Sequence, residues 1–231
     1  MNTKKLVVEF VGTFALIFIG AGSVAMGAGG LIGAAFAHGF VVIAFIYAYG
    51  HISGTHINPA VTLGFLIAGE IEFVVAVGYW IVQFLGGILG AVLLNIVLPD
   101  PGDLGVTILT TEANGGPFTV TATQGLTVEI ILTFFLVNTI FNTAVSGKAG
   151  NFAGLAIGLA LMFCIVMGGP LTRASLNPAR TLGPAVVSSN YADIWLYFVG
   201  PFVGSLLAAL LYMGVLKDKG EAYTRITEKK G

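Results

Sequence analysis

Residues 51–64 read HISGTHINPAVTLG and residues 175–184 read SLNPARTLGP. Each stretch holds the tripeptide Asn-Pro-Ala, at Asn58-Pro59-Ala60 and again 119 residues later at Asn177-Pro178-Ala179. Asn followed by Pro is a helix-start signal: Asn is a favoured N-cap, and Pro fits the first helical position, where a missing N–H loses no partner. Each tripeptide therefore opens a helix. The flanks repeat as well. Val8-Glu9 with Thr13-Phe14 recurs 120 residues on as Val128-Glu129 with Thr133-Phe134. Tyr79 to Leu94 (YWIVQFLGGILGAVLL) aligns with Tyr197 to Tyr212 (YFVGPFVGSLLAALLY) at an offset of 118. The chain is one unit written twice.

The surroundings of these motifs are those of a membrane protein. Of 231 residues, 56% are hydrophobic and only 9% are Asp, Glu, Lys or Arg, against about 25% charged residues in a soluble domain. This composition excludes a secreted enzyme and a disordered adaptor, and a net charge of -1 offers no basic field for nucleic acid. The single cysteine, Cys164, permits no internal disulfide and no cysteine-built metal site. Charged residues are absent from 10–69, 73–99, 130–147, 149–172 and 194–216. At about 20 residues per span, these gaps hold six candidate helices near 6–26, 31–50, 73–97, 125–146, 152–168 and 192–216, the fifth of them short. Met1 to Lys5 resembles the basic start of a signal peptide, but the long apolar stretch after it, which includes Glu9, reads as a retained helix.

Three spans per unit is an odd number, so repeat one (about 5–97) and repeat two (about 124–216) enter the membrane from opposite sides. The expected fold is an all-α membrane protein of six transmembrane helices and two re-entrant half-helices, built as an inverted repeat in one channel domain over 1–231. The interrupted segments 51–71 and 169–190 are too short to span, and inverted repeats place their functional site near the midplane between the halves. The first half-helix, 59–68, is roughly 15 Å long, so two meeting at their N-termini cross about 30 Å. An N-cap Asn accepts from its own helix through its carbonyl oxygen and still has NH₂ protons to donate. Donors at two positive helix ends favour a polar acceptor such as water oxygen and repel cations, hydronium included. Eight of the ten basic residues fall on one side, which the positive-inside rule makes cytoplasmic. Both termini, including the tail 217–231, are expected there, and 98–124 is expected to be the longest external loop.

These two loops resemble the signature loops of the aquaporin (major intrinsic protein) family, a likeness that covers about residues 5 to 216. The resemblance implies one narrow pore per subunit, a homotetramer in the lipid bilayer, and passage of water and small neutral solutes without cofactor or energy source. It implies neither an enzyme nor a nucleic-acid or metal partner. Carried over by position, the family's constriction falls on His38, Ile165, Ala174 and Arg180. This set looks more like the plant tonoplast-type group, whose range extends to ammonia, urea or hydrogen peroxide, than like the glycerol channels, which have Asp where this chain has Thr181. Water is the main expected solute, and the plasma membrane the expected location.

The resemblance also gives Glu9 and Glu129 the task of holding the half-helix loops, and it gives His51 and His56 that of bonding and orienting the first loop's backbone. Arg173 departs from the family pattern. Solvent, Asp193 or an acid of the external loop are its possible partners. From the residues alone a second function stays open, a proton-coupled alternating-access transporter using Glu9, Glu129 and His38. An intramembrane enzyme would need a nucleophile with a base or a metal, and no such constellation is present in the sequence.

Overall fold

The structure, a computed structural model, describes residues 2–100 and 102–217. Lys219, Arg225, Lys229 and Lys230 of the expected tail lie outside the described residues.

Among the described residues, six helices are long and apolar enough to cross a bilayer: α1 (Thr3–Ala25), α2 (Gly30–Ser53), α4 (Phe73–Val97), α5 (Ala122–Val145), α6 (Gly150–Thr172) and α8 (Leu196–Leu216). Two short helices lie between them, α3 (Pro59–Ile67) and α7 (Pro178–Ser188). Each starts where the sequence says, with Asn58 or Asn177 as N-cap in extended backbone and Pro at the first position. A capping box of Thr121 with Gln124 starts α5 three residues earlier than hydropathy suggests.

The fifth span is not short. It continues through Pro170 to Thr172, because the last turn is closed by the Arg173 N–H on the Gly169 carbonyl (3.0 Å) and the Leu171 carbonyl is taken by Thr110 N–H (2.9 Å). A proline is tolerated where neighbouring groups satisfy the backbone around it.

Packing repeats as the sequence does. Helix α1 lies along α4 as α5 lies along α8, and the equivalent helices α2 and α6 pack on each other across the halves. Each half-helix is held mainly by the other half, α7 against α4 and α3 against α8. Glycines permit this closeness: a Cβ on Gly90 would stand 2.9 Å from the Phe14 carbonyl oxygen, and one on Gly200 2.7 Å from Glu129 Cβ. Phe40, Val74 and Ile96 are exposed on the outer faces, as a lipid-facing surface requires.

The segment after α4 does not behave as a surface loop. Leu104, Val106 and Thr107 are buried, so the segment dips back into the protein.

Candidate functional site

The two half-helices meet end to end through their capping asparagines. Asn58 Oδ1 accepts from the Ala60 N–H (2.8 Å) while its Nδ2 donates to the Leu176 carbonyl (2.9 Å). Asn177 Oδ1 accepts from Ala179 N–H (3.0 Å) and Arg180 N–H (3.3 Å), and its Nδ2 donates to the Ile57 carbonyl (2.9 Å). These reciprocal bonds join the halves. Each amide has two N–H bonds, so one of each is spent on the junction and one is left. Both asparagines line the same narrow cavity of about 80 Å³. A water needs roughly 10–15 Å³ by this measure, so the cavity has room for several waters.

The loops entering the half-helices are strained in matching places. Thr55 and Ile57 in the first loop, and Ala174 and Leu176 in the second, have positive φ of 51°, 43°, 43° and 54°. Such conformations persist where their surroundings over-determine them. Glu9 and Glu129 do so. Glu9 accepts from the His56 N–H (2.9 Å), Ile57 N–H (2.6 Å), Ser53 hydroxyl (2.7 Å) and Gln83 amide (2.9 Å). Glu129 accepts from Ser175 N–H (2.9 Å), Leu176 N–H (2.8 Å) and the Thr172 hydroxyl (2.7 Å). Both oxygens of each acid accept bonds that hold these loops, and nothing in the site favours the transporter alternative.

The histidines of the first loop act differently from expectation. The His56 ring does not bond the loop backbone: its Nδ1 meets the Thr62 hydroxyl (3.1 Å), and the ring packs against Phe65 and Tyr79. His51 is exposed in the last turn of α2 and makes no hydrogen bond to the loop among the described residues. Short, fixed side chains hold the backbone instead. Tyr79 donates to the Ser53 carbonyl (2.8 Å) as Tyr197 donates to the Thr172 carbonyl (3.0 Å). Ser53 and Thr172 each stand five residues before a motif asparagine, and the two tyrosines open the aligned segments, so the repeat itself carries the signal for all four. Gln83 has no such signal, since Pro201 stands in its place. Trp80 donates to the Pro59 carbonyl (3.0 Å) and braces α3.

Further along the lumen lie His38 and Arg180, both buried. His38 Nδ1 lies 2.8 Å from the Ala34 carbonyl. A carbonyl only accepts, so Nδ1 carries the proton, and in the neutral ring Nε2 is a bare acceptor. A π-helical turn in α1 over Leu16–Ala21 brings Gly20 against this ring, and a Cβ there would stand 2.6 Å from Nε2. Arg180 Nη1 donates to the Gly105 carbonyl (2.6 Å), while Arg180 Nε and Nη2, like His38 Nε2, are buried with no hydrogen-bond partner among the described residues. Interiors seldom leave such groups unmet. Here one acceptor and two donor atoms belong to two residues that line one cavity.

Ile165 and His38 also border an outer vestibule of about 440 Å³. Ala174 is buried beside Gly168 and borders neither cavity. Arg173 pairs with Asp103, an acid of the segment between α4 and α5, and with neither solvent alone nor Asp193. That segment is therefore part of the site. Its apolar Leu104-Gly105-Val106 run, set in a polar stretch, is the sequence mark of its return into the protein.

Comparison with known proteins agrees with this geometry. The profile of the family described as "Major intrinsic protein" matches residues 1–212. A probable aquaporin TIP2-2 of Oryza sativa subsp. japonica is 40% identical over 224 residues, covering 91% of this chain and 86% of the relative. Aquaporin TIP2-3 of Arabidopsis thaliana is 38% identical, covering 96% and 90% of the two chains. The fold is that of the aquaglyceroporin from Plasmodium falciparum, with a TM-score of 0.78 at 23% identity over 93% of this chain and 97% of that one. With its doubled Asn-Pro-Ala junction, the chain belongs to the major intrinsic protein (aquaporin) family and is a passive membrane channel for water and small solutes, not an enzyme.

Proposed function

We propose that water is the main solute and that His38 and Arg180, with Ile165 on the vestibule side, form the selectivity filter; Ala174, expected in that set, borders neither cavity and is left out of it. The observation that carries this reading is the unmet set at His38 and Arg180: one acceptor and two donor atoms on two residues that line the same cavity. Such a set suits a solute that both donates and accepts, which describes water, ammonia, urea, hydrogen peroxide and glycerol. Arg180 and the two half-helix N-termini present positive potential along the path, which opposes protons and other cations. The unspent N–H of Asn58 and of Asn177 orient the solute midway, and Glu9, Glu129, Ser53 and Thr172 hold the loops that place them.

Both termini lie on the cytoplasmic side in this reading, following the distribution of basic residues, and the channel assembles as a homotetramer like the family it belongs to. Several similar relatives are TIP types, which favours an internal membrane of the tonoplast kind over the plasma membrane expected from the sequence.

Paired water, urea and ammonia fluxes in proteoliposomes, for the natural chain and for His38→Phe, test the filter. Phe removes the acceptor and leaves a bulkier apolar wall. Urea and ammonia flux are expected to fall roughly five-fold relative to water, the size of one lost hydrogen bond of about 1 kcal/mol. Unchanged relative fluxes place the filter elsewhere.

A further inference from the structure

We propose that Arg173 and Asp103 form a positioning pair that sets solute discrimination at the outer mouth by holding the Gly105 carbonyl on Arg180. The proposal rests on the reading of Arg180 as a filter residue.

Arg173 follows the last residue of α6 in left-handed backbone, with φ 56°. Glycine is preferred at such a position, since a Cβ is unfavourable there. Arginine stands there with a specific set of contacts. Its Nη1 donates to Asp103 Oδ2 and to the Val106 carbonyl (3.1 Å). The other oxygen of Asp103 accepts from the Gly105 N–H (2.9 Å), and the Gly105 carbonyl accepts from Arg180 Nη1 (2.6 Å). Four residues thus form one connected chain from the vestibule wall to the lumen.

The rest of the segment is pinned only beyond this point. The Thr107 and Thr181 hydroxyls lie 2.8 Å apart, and Thr110 N–H reaches the Leu171 carbonyl. Among the described residues, nothing else on 98–103 makes a hydrogen bond to another helix or half-helix. Asp103 to Arg173 is therefore the attachment at the early end of the loop. If that attachment fails, the Gly105 carbonyl is free to withdraw. Arg180 Nη1 then needs another acceptor, and the guanidinium turns, taking Nε and Nη2 from their places in the lumen. The opposite charges of Arg173 and Asp103 cancel locally, so the pair supplies position more than field. Its side chains are 32% and 40% exposed, which limits its strength.

The test is the urea-to-water permeability ratio of the full chain in proteoliposomes, read beside the thermal midpoint in detergent, for Arg173→Gly, Arg173→Lys, Asp103→Asn and Arg180→Ala. Glycine suits the left-handed backbone, so Arg173→Gly is expected to keep or raise the thermal midpoint. Its urea-to-water ratio is expected to rise about two- to five-fold, the range a partly exposed ion pair can carry. Asp103→Asn retains an acceptor for Gly105 but loses the charge, and its ratio is expected to rise too. Arg173→Lys keeps a cation within reach of Asp103 and should hold the natural ratio. An unchanged ratio in Arg173→Gly, while Arg180→Ala changes it, overturns the positioning role and leaves the filter reading intact. An unchanged ratio in Arg180→Ala as well removes the filter reading itself. A shift that appears only together with a lowered thermal midpoint marks a merely structural residue and also overturns the proposal.

Discussion

Glu9→Leu is expected to cost the protein most of its folding stability. The carboxylate is fully buried and accepts four hydrogen bonds. The Ser53 hydroxyl can turn to another acceptor. The His56 and Ile57 N–H groups cannot, because they belong to a loop whose backbone already stands at positive φ at Thr55 and Ile57. Each buried donor left unmet costs about 1–3 kcal/mol, so the two N–H groups together cost about 2–6 kcal/mol, while the Gln83 amide keeps the Thr62 hydroxyl as an acceptor (3.0 Å). That is a large share of the 5–15 kcal/mol that holds a typical fold together. Glu129→Leu strands the Ser175 and Leu176 N–H groups in the same way, while the Thr172 hydroxyl can turn to the Gly168 carbonyl, so a loss of similar size is expected. Thermal midpoints of the two purified variants in detergent check this. Natural midpoints in both would mean that the acids do not hold the loops.

Arg180→Ala is expected to have the largest effect on selectivity. The substitution removes the buried cation, both unmet donors and most of the side-chain volume beside His38. The Gly105 carbonyl loses its partner at the same time. Larger neutral solutes gain room, and cations lose the main charge that opposes them. A change of about 1.4 kcal/mol in the barrier is tenfold in flux, so a rise in urea permeability of about tenfold is the expected result, with water permeability unchanged or higher. Because Asn177 still caps α7 on the Ala179 N–H, the variant should fold. Urea uptake equal to that of the natural chain would remove Arg180 from the solute path.

The contrast between these two residues and their neighbours shows what sequence can carry. Asn58, Asn177, Glu9 and Glu129 are legible because the chain states each of them twice at a nearly fixed offset, and a polar residue that recurs in equivalent apolar segments marks a place both halves need it. The half-helix starts are legible from Asn-Pro alone, since capping is local chemistry. Pro170 misleads for the reverse reason. Alone it signals an end, and only Thr110, sixty residues earlier in the chain, reveals why α6 continues. The bonds from each asparagine to the opposite loop are likewise beyond the reach of sequence, because they depend on two backbones meeting in space.

His56 and His51 show the limit of inference by position. Both stand beside the motif, yet one ring turns to Thr62 and the other stays exposed. The residues that fix the loop are small hydroxyls and distant tyrosines, whose importance comes from where α4 and α8 place them. The segment between α4 and α5 is hidden most completely. Its polar, Gly- and Pro-rich composition reads as surface, the three-residue Leu104-Gly105-Val106 run is too brief a mark to outweigh that, and the burial of Leu104 and Val106 shows that it returns into the protein.

A lumen that conducts water without moving protons is tested most directly by stopped-flow shrinkage of proteoliposomes under an osmotic gradient. Vesicles holding the natural chain are predicted to shrink several-fold faster than empty ones, at a rate indifferent to an imposed pH gradient. Shrinkage no faster than that of empty vesicles, from well-folded protein, or a rate that follows the pH gradient, would contradict it.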